Sequence, residues 1–236
     1  NEEVRKTFII RSKLISSLRK TLDEKGFLEV ETPVLNTLAG GANARPFITY
    51  HNALKMDFYM RIATELHLKR LLVGGMEKVY EIGRIFRNEG VSHKHNPEFT
   101  TLELYEAISD YEAMMEITET LISEACIATR ESLKFPYQGK ELDFSPPFKR
   151  LSYLQAICEY ANIKPESLDS PENLAKICQQ NEIDVNPNLP VAVLYDALFS
   201  HFVEPKLFQP TFIYDYPIEI SPLARKIPDR PHLTYR

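Results

Sequence analysis

The chain has 236 residues, 44% of them hydrophobic, 26% charged and 11% aromatic, and carries a formal net charge of −5. Those proportions suit a soluble globular enzyme core, one large domain or two small ones, long enough to support its own interior. They exclude a general nucleic-acid binder, whose affinity comes from a basic surface and counterion release, so any RNA contact must be local. Cys126, Cys158 and Cys178 have no CxxC or other metal-ligand spacing, and their odd number argues against a disulfide framework; buried, reduced thiols are expected. No apolar run approaches the length of a bilayer span, and the charged opening Asn1-Glu-Glu-Val-Arg-Lys-Thr lacks a signal-peptide core, which gives a cytoplasmic protein as the expectation.

In chain order, Leu14, Leu18 and Leu22 recur at helical spacing from about Phe8, with Ile15 alongside and Gly26 as a stop. Phe27 to Glu31 then reads as a strand ended by Thr32-Pro33. The Gly40-Gly41 pair lacks side chains, so its carbonyls can approach a ligand closely, although a surface turn would use glycines equally well. Glu65 starts a helix through Leu66, Leu68, Leu71 and Leu72 to Gly74-Gly75, and an acidic residue there also serves the helix dipole alone.

Two strand-like runs follow, joined by a polar loop with two histidines and a lysine. A period of two puts Glu81, Gly83, Ile85, Arg87 and Glu89 on one face of the first run, and Phe99, Thr101, Glu103 and Tyr105 on one face of the second. Paired antiparallel, they could assemble Arg87, Glu89, Phe99, Glu103 and Tyr105 on one side, with Ile82, Phe86, Leu102 and Leu104 resting on the core. A guanidinium can grip carboxylate or phosphate oxygens bidentately, a ring can stack on a purine, and a carboxylate can hold an ammonium. Such a hairpin could bind ATP and a cationic amino acid; a solvated hairpin with ordinary cross-strand charge pairs has the same periodicity.

Residues 110 to about 130 read as a helix capped by Asp110, with Tyr111, Met114, Ile117, Leu121 and Ala125 near helical spacing. Ser145-Pro-Pro marks a turn, and Leu154, Ile157, Cys158 and Ala161 a further helix. The polar, proline-marked stretch from Ser167 to Asn188 predicts small helices joined by loops. A helix from about Val191 to Phe202 and a strand from Thr211 to Tyr216 complete the pattern of mixed α and β structure, without internal repeats.

The segment Phe86-Arg-Asn-Glu-Gly-Val-Ser-His-Lys-His-Asn-Pro-Glu-Phe99 resembles motif 2 of the class II aminoacyl-tRNA synthetases. Its continuation, His95-Asn-Pro-Glu-Phe-Thr-Thr-Leu-Glu-Leu-Tyr-Glu-Ala107, resembles the lysyl-tRNA synthetases within that family. Lys25-Gly-Phe-Leu-Glu-Val-Glu-Thr-Pro-Val-Leu35 is similar to motif 1. Gly40-Gly-Ala-Asn-Ala-Arg-Pro-Phe47 and Arg61-Ile-Ala-Thr-Glu-Leu-His-Leu-Lys-Arg-Leu71 are similar to the amino-acid pocket. The likeness runs on through Tyr216-Pro-Ile-Glu-Ile-Ser-Pro-Leu-Ala-Arg225, in which Glu219, Ser221 and Arg225 resemble positions beside the active site.

That resemblance implies an α+β fold, a mixed and mainly antiparallel sheet flanked by helices. It assigns residues 1–236 to part of a catalytic domain. About 1–35 would be motif 1 and the surface of a homodimer, about 36–110 the amino-acid and ATP site, and about 135–205 a peripheral helical insertion. The N-terminal OB-fold domain and the third motif of the family find no counterpart in the sequence. The implied reaction is activation of L-lysine with ATP and magnesium to lysyl-adenylate, followed by transfer of lysine to tRNA(Lys).

The resemblance also implies site roles. Arg87 bridges the lysine carboxylate and the α-phosphate, and Glu89 lies on the nucleotide and tRNA-end side. His95 meets the triphosphate tail, while Asn96 and Phe99 place and stack the adenine. Gly41 backbone and Glu65 hold the α-amino group, with Glu103 and Tyr105 at the far end of the side chain. A second acidic selectivity residue and the main magnesium ligands of the family lie downstream of this sequence, so no metal ligand is assigned. The His93-x-His95 pair lacks a third ligand, and Lys94 between the two makes a zinc site a poor expectation. Rival functions are a lysyl-type transferase acting on elongation factor P and a noncatalytic regulatory or interaction module. An aspartyl or asparaginyl synthetase is disfavoured because Glu103 has the wrong charge for an acidic substrate.

Overall fold

The structure, a computed structural model, describes all residues except Lys94, Pro187 and Asn188. Two compact units emerge, one of residues 15–109 and one of residues 110–236 together with 1–14. The opening helix α1 (Glu2–Glu24) starts earlier than its leucine spacing predicts, and of its apolar stripe only the end is covered: Leu22 is buried, Ile15 and Leu18 are half-buried and Leu14 is exposed.

In the unit of residues 15–109, β1 (Leu28–Glu29) runs parallel to β5 (Lys78–Phe86), which pairs antiparallel with β6 (Glu98–Glu106) from Lys78↔Glu106 to Phe86↔Glu98. A second sheet has the order β2 (Leu35–Asn36), β4 (Met56–Met60), β3 (Ile48–His51), antiparallel throughout. The predicted strand at Phe27 to Glu31 shrinks to Leu28–Glu29 because beyond it only Val30 bonds its neighbour, donating to Tyr80 O, before Thr32 turns its hydroxyl to Glu81.

Helix α2 (Glu65–Val73) ends at Gly74, followed by Gly75 at a φ of 97°, a left-handed conformation that glycine adopts without the Cβ penalty. Leu22, Phe27, Ile62, Leu68, Val79, Tyr80 and Ile85 form the interior. Both hairpin faces are covered: on the face expected to rest on the core Tyr80 is fully buried and Ile82, Phe86, Leu102 and Leu104 half-buried, while on the face of Glu81 and Glu103 Val79 and Ile85 are also fully buried. Segment 61–64 covers that second face. Arg61 O accepts from Phe86 N–H at 3.0 Å, and Thr64 N–H donates to Glu103 Oε1 at 3.3 Å.

In the other unit, α3 (Tyr111–Arg130) is capped by Asp110, whose side chain accepts from Ala113 N–H at 2.9 Å. The hairpin β7 (Lys134–Tyr137) and β8 (Lys140–Asp143) follows. Strand β9 (Lys149–Ser152) pairs parallel with β10 (Thr211–Tyr214). Helices α4 (Tyr153–Ala161), α5 (Pro171–Gln180) and α6 (Val191–Phe202) pack around Ile157, Leu174, Leu194 and Leu198. The predicted strand to Tyr216 breaks at Asp215, which has a φ of 53°, and resumes as β11 (Tyr216–Pro217) beside β13 (Arg230–Thr234) and β12 (Lys226–Ile227). Of the thiols expected to be buried, only Cys178 is; Cys126 and Cys158 are half-exposed, and burial raises the pKa of all three.

One ion pair closes the far end of the β5–β6 hairpin: Lys78 Nζ lies 2.6 Å from Glu106 Oε1. That hydrogen bond, against the opposing pull of burial, holds the Glu106 carboxyl below its ordinary range. A carboxyl depressed by folding contributes stability that is complete above its unfolded pKa and is lost as pH falls through the folded one. Lys78→Met is expected to lower stability at neutral pH by about 1 kcal/mol or less and to flatten the acid-side loss, read by urea unfolding at a series of pH values.

Candidate active site

The nine-pair register of β5 and β6 brings Phe99, Thr101, Glu103 and Tyr105 onto the same face as Glu81, Gly83 and Ile85. Arg87, just past the end of β5, leans back over that face. Its guanidinium carbon is 5.3 Å from the centre of the Phe99 ring, and Nε donates to Ile62 O at 3.4 Å. A cavity of about 600 Å³ is lined by Arg87, Glu89, His93, His95, Asn96 and Phe99, so the five residues expected at a nucleotide border one space. Its walls are set by short backbone bonds: Arg87 N–H to Pro97 O at 2.8 Å, and Ser92 N–H to His95 O at 3.0 Å. Ser92 Oγ also lies 2.8 Å from His95 Nδ1, which fixes the ring. Lys94, expected to make this loop electropositive, falls outside the described residues.

The loop of residues 40–47 is tied to the same region, since Asn88 N–H donates to Arg45 O at 2.8 Å and Arg45 N–H to Glu89 Oε1 at 3.3 Å. Gly41 has a φ of 88°, and a Cβ there would come within 3.1 Å of Ala63 Cβ. The glycine therefore lets the loop lie against the start of α2, which is a packing reason beyond close approach of a ligand.

Further along the sheet, Glu103 accepts from Thr64 N–H and, on its other oxygen, from the Tyr105 hydroxyl, each at 3.3 Å. Burial first, then the charges of Glu103 and Glu65, push the Tyr105 hydroxyl well above the ordinary phenol range, so it stays a proton donor. Glu65 thus belongs to the same cluster, and in this structure it is paired with Lys69 Nζ at 2.6 Å. The hydroxyls of Thr64 and Thr101 are buried without a hydrogen-bond partner among the described residues. Such orphan groups call for an explanation, and a polar ligand or bound water is one.

Sequence reasoning passed over what sits under this face. Arg61, 5% exposed, forms an ion pair with Glu81, 4% exposed, and also donates to Arg84 O at 2.8 Å and Thr32 O at 3.1 Å. Thr32 Oγ1 donates to the second Glu81 oxygen at 2.6 Å. The available signal was Gly83, a strand glycine, which often marks a place where another group approaches the backbone. A Cβ on it would overlap Arg61 Nη2. Glu219, Ser221 and Arg225 belong to the other unit, where Ser221 Oγ accepts from Arg236 Nη1 at 2.7 Å.

Among the described residues no group of three or more His, Cys, Asp or Glu side chains could hold a metal ion.

Residues 1–235 match the family described as tRNA synthetases class II (D, K and N), and the chain belongs to that family. Its relatives include the lysine–tRNA ligases of Chloroflexus aurantiacus, 52% identical over 236 residues, and of Pelotomaculum thermopropionicum, 53% identical over 238. That of Thermoanaerobacter pseudethanolicus is 50% identical over 236 residues. All of this chain is aligned in each case, against 48%, 47% and 47% of the respective relative, so the chain spans about half the length of the curated relatives it matches. The mixed, mainly antiparallel α+β architecture agrees with the class II catalytic fold.

Gly83→Ala is expected to destabilise the protein by about 1–3 kcal/mol through overpacking against the buried guanidinium, measured as a lower urea midpoint with unchanged slope.

Proposed function

We propose that this chain is part of a lysine–tRNA ligase that activates L-lysine with ATP and passes the lysyl group to tRNA(Lys). What supports the proposal is one face of the β5–β6 hairpin, which carries Phe99, Glu103 and Tyr105, with the Arg87 guanidinium 5.3 Å from the Phe99 ring. The names of relatives about half identical over the whole chain support it.

In the proposed first step an oxygen of the lysine carboxylate attacks the α-phosphorus of ATP; the bond to the β-phosphate oxygen breaks, and pyrophosphate leaves. Both reactants are anionic where they meet, so positioning and charge neutralisation carry the catalysis and no protein nucleophile is needed. Arg87 bridges the attacking carboxylate and the α-phosphate, its rigid fork aligning two oxyanions as a lysine could not. Phe99 stacks on adenine, Asn96 helps place it through the loop backbone, His95 meets the triphosphate tail, and Glu89 lies on the nucleotide and tRNA-end side. Gly41 backbone and Glu65 hold the α-ammonium, while Glu103 and Tyr105 receive the side-chain ammonium. Bound magnesium would supply charge neutralisation to the ATP phosphates, and no residue of this chain is assigned to hold it.

Selectivity follows from enclosure. A charge pair about 4 Å apart is worth roughly 1 kcal/mol in water and about 4 kcal/mol at an effective dielectric of 20, so Glu103 discriminates most when the site is closed. An amino acid without the ammonium leaves that carboxylate unpaired, a penalty that can reach roughly 10⁴ to 10⁵ in specificity.

The proposal includes a homodimer in the cytoplasm. Supporting the dimer, α1 leaves Val4 53% and Phe8 70% exposed, and in the other unit Leu28 of β1 is 54% exposed, apolar side chains that a second subunit would cover. No helix of the described residues is long and apolar enough to cross a membrane.

ATP–pyrophosphate exchange by the intact protein is expected to require lysine, and Arg87→Ala to reduce its kcat/KM by at least about 100-fold. Glu103→Gln should raise the KM for lysine more than that for ATP. Exchange supported equally by aspartate would reject the assignment.

A further inference from the structure

Glu81 and Glu103 are direct cross-strand partners on one face of the hairpin. Side chains so placed start from Cβ atoms about 4.5–5.5 Å apart, and like charges in that arrangement repel. Among the described residues one cation, Arg61, forms an ion pair with either of the two. Arg61 is committed to Glu81, with its guanidinium also held by Arg84 O and Thr32 O, and Thr32 Oγ1 takes the remaining Glu81 oxygen. Glu103 receives only uncharged donors, the Thr64 N–H and the Tyr105 hydroxyl, and among the described residues no cation pairs with it. The open backbone at Gly83 is what gives the guanidinium room to lie there.

We propose that Arg61 and Glu81 are a charge-setting pair: by consuming one carboxylate of the facing two, they leave Glu103 as the single unpaired anion that selects an amino acid with a side-chain ammonium. Both are positioning residues, acting through Glu103 without touching the substrate, and the inference rests on the proposed lysine-activating function. An arginine suits the task because four acceptors, Arg84 O, Thr32 O, Thr32 Oγ1 and Glu81 Oε1, fix its fork, whereas a flexible ammonium could turn to Glu103 and cancel it.

Glu81→Gln removes the anion and leaves the Arg61 charge without a partner beside Glu103, which then becomes the nearest carboxylate to neutralise it. In the intact protein, Glu81→Gln is expected to raise the KM for lysine in ATP–pyrophosphate exchange by at least about tenfold, with kcat and the KM for ATP changing far less. Adding Arg61→Gln removes the surplus cation, and the double variant is expected to return the lysine KM to within about threefold of the wild type. Thr32→Val deletes a hydrogen bond to Glu81 without changing the charge count, and should leave the lysine KM within about threefold. An unchanged lysine KM in Glu81→Gln, a double variant no better than the single, or a Thr32→Val loss equal to that of Glu81→Gln each overturns the inference, because a mere scaffold behaves so. If Glu81→Gln fails to fold, as judged by circular dichroism, the double variant decides: a lysine KM near the wild-type value supports the inference, and one raised more than about tenfold overturns it. Wild-type protein whose exchange does not depend on lysine overturns the functional proposal as well, whereas lysine-dependent wild-type exchange with any of the contrary variant results removes this inference alone.

Discussion

The antiparallel register between Lys78–Phe86 and Glu98–Glu106 is the constraint on which the rest of the site depends. A strand shifted by one residue turns every side chain to the opposite face, so a slip would part Phe99 and Glu103 from the surface over which Arg87 leans. The register is held by more than its ladder. Segment 61–64 bonds to both strands, through Arg61 O to Phe86 and Thr64 N–H to Glu103, and Arg61 reaches the backbone of Arg84. A one-residue slip would break these bonds at once.

Buried polarity concentrates in the same place. Arg61, Glu81 and Thr64 are all at most 5% exposed, an unusual density of polar groups for so small an area. Arg61 and Glu81 satisfy one another and their neighbours, while the hydroxyls of Thr64 and Thr101 do not find partners among the described residues. Proteins depart from self-consistent packing mainly where they bind or react.

What could be read from the sequence was local. Helix α6 spans Val191–Phe202 as its spacing predicts, and α3 starts at the Asp110 cap, because periodicity and capping need only neighbours within a few residues. The antiparallel hairpin and the face shared by Phe99, Glu103 and Tyr105 followed from alternation. The β3–β4 and β7–β8 hairpins went unseen, since each strand is only four or five residues long and lacks a clear alternation. That the second hairpin face is buried as well escaped the reading for a different reason. Arg61 meets Glu81 across 20 residues and Thr32 meets Glu81 across 49, and nothing in the pattern of a single strand announces a guanidinium arriving from elsewhere to cover it.

The pairing of Lys69 with Glu65 gives that carboxylate a resident cation. In the ammonium-holding role proposed for Glu65, the incoming group would exchange one counter-charge for another, so the free energy gained would be a difference between two ion pairs. In the role proposed for Glu65, that resident cation would make the carboxylate an anchor of orientation more than of affinity.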